Sequence, residues 1–455
     1  MSRKQSTTAA ILIAAASLII AAVILMRSAP TEPTQPPNVV LIIIDTLRQD
    51  KLSAYGFEHE TSPEVDRMAE QGVRFGRVVA QSSWTRPSIG SMLTSRYPRT
   101  IGIYKEEDEI LPDEFVTLPE VLHEAGYTTI GATANPNINT SFNFQQGFDR
   151  YLDSNVLFDW MEHEKDSEGQ SRPPLQHARQ IFDSLLAEVK ERGTPPYYLQ
   201  ANVMEVHEPH DSRISLSRYE HLFPPGPNQR YLAAIRLVSA EIARFAVALS
   251  ALPGLECTLF VIVSDHGQGL GDHRPVANSS SHGFLLYESQ VLVPLILYAT
   301  DDSLPRGTVV EAPSRLLDLV PTLLDYLGIE APSDIDGKSM MAAIRGSEPP
   351  EQPSGFVVET EFREADVIGV YGPQWEYFEY RAPHPGTDPR ELQAKGKPAR
   401  GAITNQLEAH YESGDALQAF LEQWENDHPK AAPTKRTTPS QPLETEQLRA
   451  LGYID

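Results

Sequence analysis

The sequence predicts an α/β chain built on a doubly wound, mostly parallel sheet with helices on both faces. A small antiparallel C-terminal subdomain and an N-terminal transmembrane helix complete it. Three observations carry this expectation. Continuous apolar runs such as "NVVLIII" and "TLFVIV" read as strands buried on both faces. Patterns of helical period separate those runs, as in a wound sheet. From about Asp334 the texture changes to shorter strand-like runs, "SGFVVETEF" and "ADVIGVYGPQWEYFEYR", around a Gly-Pro turn.

At the N-terminus, Ala9 to Met26 carries no charge and would be about 27 Å long as a helix, enough to cross a bilayer core. Arg3 and Lys4 precede it, which favours a cytoplasmic N-terminus with the body outside. A cleaved signal peptide is the rival reading. Against it, the apolar run is long and "RSAPTEPTQPP" offers no clear small-residue cleavage site. Either way the body is exported. The expected organisation is a cytoplasmic stub (1–8), a single span of the inner or cell membrane (9–26) and a stiff Pro-rich spacer (27–37). The α/β domain (38–333) and the C-terminal part (334–455) follow, in the periplasm or outside the cell.

Within the body, "SPEVDRMAEQG" predicts a helix with Ser62 as cap, Pro63 at its first position and Gly72 as its stop. "TLPEVLHEAG" predicts a helix leading into the strand "YTTIGATAN". The strands "YYLQANVMEV" and "CTLFVIVSD" flank a long helix around Tyr231–Leu252. "VPLILYA" adds a strand and "SRLLDLVPTLLDYLG" a helix. Residues 382–445, rich in Pro, Glu, Gln and Lys, predict loose order around one amphipathic helix near Ala416–Trp424. Cys257 is the sole cysteine, which excludes an internal disulfide or thiolate cluster; it is expected as a small core residue. The net charge of −24 argues against nucleic acid or anionic lipid as the main partner. A bound metal and a helix dipole can still reverse the sign at one site.

In such sheets ligands bind at the carboxyl ends of strands. Two strands here end in acids: Asp45 closes one, and Asp265, with His266 beside it, closes another. An acid in that place can be a cap or turn residue; two together, one next to His and Gly, point to a metal. Carboxylates with an imidazole favour one divalent ion, Zn²⁺ or Mn²⁺, over Ca²⁺ or Mg²⁺. A nucleophile oxygen could complete the set. In "SSWTRPSIGSMLTSRYP" Pro87 sets the first turn of a helix, putting Thr85 and Arg86 at its positive end. On that stretch alone Thr85 is either a cap or a nucleophile. His207 and His210 follow one strand, and His273 and His282 lie beyond Asp265–His266. They are candidates to protonate a leaving oxygen or hold the transferred group. His282 and His210 are the first choices, with His207 in reserve. The loop Asp153–Pro174 is where specificity is expected, without a readable pattern.

Taken together these segments resemble the sulfatase family of the alkaline phosphatase superfamily, over nearly the whole exported body. "NVVLIIIDTLRQDKLSAYGFEHETSPEVDRMAEQGVRF" is similar to the family's opening, with its metal Asp at Asp45. "EPH", "VSDHGQGLGDH", "HGFLLYESQVLVPLILYA" and the ending "QLRALGYID" are similar to later stretches. The departures are as informative. Where the family carries a Cys or Ser oxidised to formylglycine, Thr85 stands, so no formylglycine is expected. Ile89 takes the place of the motif's Arg, Thr46 that of the second Asp, and "TANPN" that of the sulfate-holding Lys and His. Thr as nucleophile resembles the superfamily's phosphoethanolamine and phosphoglycerol transferases and nucleotide pyrophosphatases.

The pattern of those enzymes maps onto Asp45, Thr85, Asp265, His266 and His282. Together with the loop histidines and the helix start, the expected site has metal ligands Asp45, Thr85, Asp265 and His266, catalytic residues Thr85, His282 and His210, and substrate contacts from Arg86, His207 and Asn135. The resemblance implies a hydrolase or transferase cleaving phosphate or sulfate esters of a small molecule, glycan or lipid through a Thr85 adduct. Two other readings stay open: a formylglycine-independent sulfuric ester hydrolase, and a degenerate, non-catalytic binding module tethered to the membrane.

Overall fold

The computed structural model describes residues 36–105, 108–153, 164–165, 171–172, 177–193, 195–210, 214–274, 276–396, 404–436, 445 and 448–449. The apolar run Ala9–Met26, nearly all of the spacer, and most of the loop 153–174 and of the closing "QLRALGYID" lie outside the described residues. Among the described residues no helix is long and apolar enough to cross a membrane. From Asn38 onward the chain packs as one compact unit.

Its centre is an eight-stranded sheet. The strands are β1 (Asn38–Ile44), β2 (Val73–Phe75), β3 (Thr128–Thr133), β4 (Arg150–Leu152), β5 (Tyr197–Val203), β6 (Thr258–Val263), β7 (Leu295–Ala299) and β8 (Thr308–Val310). Their spatial order is β8-β2-β7-β6-β1-β5-β3-β4. β1 pairs in parallel with β5 and β6, β3 with β4 and β5, and β2 with β8. The sheet is therefore mostly parallel, as expected, with β7 antiparallel to both neighbours. The reason is local: between β6 and β7 the only described helix is the short Glu288–Val291. Without a crossover helix to carry the chain back, the next strand runs the other way.

β1 is buried along its whole length, and its side chains alternate between two cores. Val39, Leu41 and Ile43 join α2 (Thr85–Thr94), α3 (Leu118–Glu124) and α6 (Leu319–Leu327). Val40, Ile42 and Ile44 join α1 (Pro63–Glu70), α4 (Ala178–Arg192) and α5 (Gln229–Ser250). Helices thus cover both faces. Ser62 holds the cap position of α1, but its hydroxyl donates to Asp66 Oδ1 (2.7 Å) instead of accepting from the helix. Gly72 serves packing: a Cβ there would stand 2.1 Å from the Leu297 carbonyl oxygen of β7.

The C-terminal part is an antiparallel sheet of β9 (Phe356–Phe362), β10 (Ala365–Tyr371), β11 (Trp375–Tyr380) and β12 (Arg390–Ala394). α7 (Tyr411–Asp427) covers it, packing Leu421 and Trp424 on Val357, Ile368, Val370, Tyr377 and Leu392. This corrects two expectations: the polar region beyond Ala382 supplies a strand, and its helix is longer than 416–424. Cys257 is half-buried, not a core residue. The small sheet is stitched to the larger body. Glu359 N–H donates to the Gln81 carbonyl (3.0 Å) and Thr360 Oγ1 to the Gly283 carbonyl (2.7 Å). β9 therefore ends beside the loops described next.

Candidate active site

The carboxyl ends of β6, β1, β5 and β3 lie side by side, and each hands a polar residue to one buried point. Asp45 follows β1, with its N–H on the Val203 carbonyl of β5 (3.1 Å). Thr46 then turns sharply, at a φ of 57° that β-branched residues seldom adopt. Its N–H reaches Asp265 Oδ1 (3.3 Å), and its hydroxyl donates to the Asp45 carbonyl (2.6 Å). The Ser264 hydroxyl locks the same two strand ends together: it lies 2.7 Å from the carbonyls of Ile44 and His266 and accepts Leu47 N–H at 2.9 Å. Asp45, Asp265 and His266 are all fully buried.

His266 Nδ1 lies 2.9 Å from the Gly267 carbonyl. A carbonyl only accepts, so Nδ1 carries the proton and Nε2 is left with its lone pair. That nitrogen is 3.3 Å from Thr85 Oγ1, 3.4 Å from Asp265 Oδ2 and 3.9 Å from Asp45 Oδ1. Burial drives the His266 imidazole down to about 4, so the ring is neutral at ordinary pH. Thr85 opens α2, every residue of which is buried, behind Trp84 in extended backbone. The Ser88 hydroxyl pins that helix to the end of β6 by donating to the Asp265 carbonyl (2.6 Å). From beyond β3, Asn135 Nδ2 donates to Asp45 Oδ2 (2.7 Å) and lies 3.4 Å from Thr85 Oγ1.

These residues fit a divalent cation. Asp45, Asp265 and His266 each present one ligand atom, all within 4.8 Å of one another. Among the described residues Asp45 Oδ1 and Asp265 Oδ2 are buried without a hydrogen-bond partner, a costly state unless a cation answers it. Burial, and then the Asp45 charge, push the Asp265 carboxyl well above the usual carboxylate range. Arg48, buried, is paired with Asp50 (2.8 Å) and Asp272 (2.6 Å) and not with these oxygens.

Arg86 is turned away from this point. Its guanidinium bonds Asn137 Oδ1 (2.9 Å), lies 3.3 and 3.4 Å from the carbonyls of Asn137 and Glu109, and stacks 3.6 Å from the centroid of Phe142. The expectation that Arg86 reaches the transferred group is therefore not met by the geometry. The histidines also sort differently from the expectation. His210 is exposed, whereas His207 is buried with its ring 4.9 Å from that of His282, which lies 4.8 Å from the His266 ring. The cluster is thus His207–His282–His266. Burial pulls the His207 imidazolium down, but its hydrogen bond to Glu208 and the charges of Asp45 and Asp265 outweigh this and hold it up at about 9. Burial, with His266 and His207 nearby, depresses His282 well below the usual imidazole range.

Three contributors were missed in the sequence. Glu208 Oε1 lies 2.8 Å from His207 Nδ1, and Gln268 Oε1 lies 3.1 Å from His282 Nδ1. Phe362, at the end of β9, sets its ring 6.2 Å from His282 and 5.4 Å from Trp84. Glu208 was readable as a carboxylate beside a histidine. No local signal marks Phe362, which reaches the site only through the docking of the small sheet.

A buried acid–imidazole centre at the carboxyl edge of this sheet, facing a hydroxyl at a helix N-terminus, is the arrangement of the alkaline phosphatase superfamily. Within it, the family model "Sulfatase" matches residues 37–329, and the chain belongs to the sulfatase family. An ulvan-active sulfatase of Formosa agariphila is 24% identical over 354 residues, spanning 70% of this chain and 66% of that protein. An arylsulfatase of Clostridium perfringens is 24% identical over 380 residues, 67% of this chain and 77% of that one. The chain thus spans about two thirds to three quarters of the length of these relatives. Among solved structures, a phosphonate monoester hydrolase of Agrobacterium radiobacter has a TM-score of 0.68 at 19% identity, covering 88% of this chain and 100% of that chain. A 2-O GAG sulfatase has a TM-score of 0.67 at 18% identity, covering 87% and 93%.

Proposed function

We propose that this protein is a metal-dependent ester hydrolase or transferase that attacks phosphate or phosphonate esters with Thr85. The observation that carries the reading is the position of Thr85 Oγ1, 3.3 Å from His266 Nε2 at the start of α2, beside two buried carboxylate oxygens that have no hydrogen-bond partner among the described residues. Asp45, Asp265 and His266 would hold the divalent ion, Zn²⁺ or Mn²⁺ by their chemistry, with Thr85 beside it. When bound, such an ion supplies Lewis acidity, lowering the proton affinity of neighbouring oxygens and drawing charge from phosphorus.

The chain's own residues do the rest. Thr85 Oγ, its proton lost to water, adds to phosphorus, with the helix N-terminus turned toward the anionic group. Asn135 Nδ2 holds the Thr85 and Asp45 oxygens in register. His207, charged, gives its Nε2 proton to the leaving oxygen. His282 keeps its Nδ1 proton on Gln268, so its Nε2 can take a proton from the water or alcohol that releases the adduct. Phosphorus is favoured over sulfur because threonine lacks the second hydroxyl by which a formylglycine hydrate expels sulfate. The names of the curated relatives favour a second reading, sulfate-ester hydrolysis without formylglycine. Aryl phosphates, phosphodiesters, phosphonates and sulfates, assayed with the purified full-length protein and Zn²⁺, Mn²⁺ or Ca²⁺, separate the two. Turnover of sulfates alone would replace the first reading by the second; turnover of none would leave a binding module.

His207→Ala and His282→Ala should each lower kcat by about 10²–10⁴-fold with the fold intact, the usual cost of removing a general acid or base. His210→Ala, exposed, should stay within about threefold of wild type. Equal losses at all three positions by steady-state kinetics would overturn this assignment.

The body is proposed to act outside the cytoplasm, tethered by the uncharged run that follows Arg3 and Lys4. A periplasmic reporter fused after Asp455 should be active, and the membrane fraction should retain the original N-terminus. N-terminal sequencing that begins near Ala29 would instead show a cleaved, released product.

A further inference from the structure

We infer that Glu208 is the residue that positions His207: by accepting the Nδ1–H of that ring, it fixes the tautomer and the direction of the imidazole. The inference rests on the hydrolase reading above. Its geometric basis is independent of the metal centre, because neither residue is a proposed ligand.

Past the end of β5 the chain makes a tight turn in which the N–H groups of His207 and Glu208 both reach the Met204 carbonyl, at 3.0 and 3.1 Å. Pro209 follows and restricts the backbone of Glu208. The turn swings the Glu208 carboxylate back onto the ring of the preceding residue, where Oε1 meets Nδ1 at 2.8 Å. The His207 side chain is 3% exposed and that of Glu208 is 29% exposed. The acid is therefore open to solvent at one end and hydrogen-bonded to the ring at the other. A carboxylate can only accept, which assigns the proton to Nδ1. Asp45, Asp265 and His282 are the other described titratable groups acting on this imidazole, and Glu208 is hydrogen-bonded to it. A histidine held through one nitrogen presents the other in a fixed direction and tautomer, as outer partners do for metal-bound and triad histidines.

In the step concerned, phosphorus bonds to Thr85 Oγ as the ester P–O bond breaks. The leaving oxygen keeps that electron pair and takes the Nε2 proton of His207. Glu208 holds the Nδ1 proton throughout and does not receive it. The help matters in proportion to how badly the leaving oxygen needs a proton. A group that acts through His207 must therefore change the dependence on leaving group, whereas general damage lowers every rate alike.

The test uses full-length wild type, Glu208→Ala and Glu208→Asp with a series of aryl phenylphosphonates, from dinitrophenol to unsubstituted phenol as leaving group. Glu208→Ala should lose about 10–100-fold with phenol and less than about threefold with dinitrophenol, and Glu208→Asp should recover most of the loss. A uniform fall across the series, or no fall, overturns the proposal. A second readout needs no turnover. In ¹⁵N-histidine-labelled protein, the far-downfield, slowly exchanging Nδ1–H resonance, assigned by its absence in His207→Ala, should vanish in Glu208→Ala and persist in Glu208→Asp. If it is absent from wild type or unchanged in Glu208→Ala, Glu208 does not hold the ring, whatever the enzyme proves to hydrolyse. If wild type turns over none of the esters while the resonance behaves as expected, the hydrolase reading fails and the positioning stands.

Discussion

Thr85→Ala should bring turnover to background, a loss on the order of 10⁶-fold, the scale seen when a hydrolase loses its covalent nucleophile. The substitution removes an oxygen that lies within 3.4 Å of both His266 Nε2 and Asn135 Nδ2. It also removes the γ-methyl but keeps Cβ and the backbone of α2, so the stability cost should be about 1 kcal/mol. Thr85→Ser keeps the oxygen but gains χ1 freedom, and should retain partial activity. A quench during turnover of a slow phosphodiester, followed by peptide mapping, should place one added phosphoryl group on Thr85 in wild type and none in Thr85→Ala. An alanine variant as fast as wild type would make Thr85 a helix-start residue with no part in the chemistry. A phosphoryl group mapped to another residue would relocate the nucleophile while leaving the hydrolase reading intact. The two outcomes are distinct because the first is read from rates and the second from mass.

How much of this was legible in the sequence follows from the range over which each feature is determined. β1 and β6 are continuous apolar runs, and only strands buried on both faces carry such runs in a wound sheet. Asp45, Asp265 and His266 were legible for the same reason: a polar residue directly after a buried strand sits at a sheet edge, and its place depends on the local chain alone. The direction of β7 was not legible, since an apolar run has no polarity and the turn back depends on what the preceding loop lacks. His207 and His210 stand three residues apart, and either could have faced inward. The Met204 carbonyl decides, by gathering two consecutive N–H groups and turning His207 under His282. Arg86 has a positive charge next to the nucleophile, yet Phe142 and Asn137, distant in sequence, offer it a ring face and an amide oxygen. Phe362 approaches the site from the far end of the chain, through hydrogen bonds that β9 makes to the loops at Gln81 and Gly283. For Arg86 and Phe362 a long-range partner outweighed a sound local preference; for His207 a local turn decided.

Removal of the divalent ion should destabilise the protein, and Asp265→Asn should reverse that effect while abolishing activity. The sign follows from the carboxyls. Asp265 is held well above its ordinary range by burial and by Asp45. A carboxyl raised in the fold contributes stability at acid pH that is lost as pH rises through its folded pKa. Above that point the metal-free protein carries two buried carboxylates facing each other. A chelated sample should therefore unfold at a lower temperature than a loaded one, with a gap that widens as pH rises from the acid range toward neutrality. Binding at a hundredfold excess over Kd is worth about 2.7 kcal/mol, a shift that a thermal scan resolves for a chain of this length. Asp265→Asn removes one of the two opposed charges and replaces a carboxylate ligand by a poorer amide. Affinity for the ion should fall by about 10²-fold or more, beyond the 10–100-fold typical of losing an outer partner, and activity should fall with it. At neutral pH the metal-free variant should nonetheless melt above metal-free wild type. Elemental analysis showing full metal content in Asp265→Asn, or melting curves in which chelation moves neither protein, would mean that Asp45, Asp265 and His266 hold no cation.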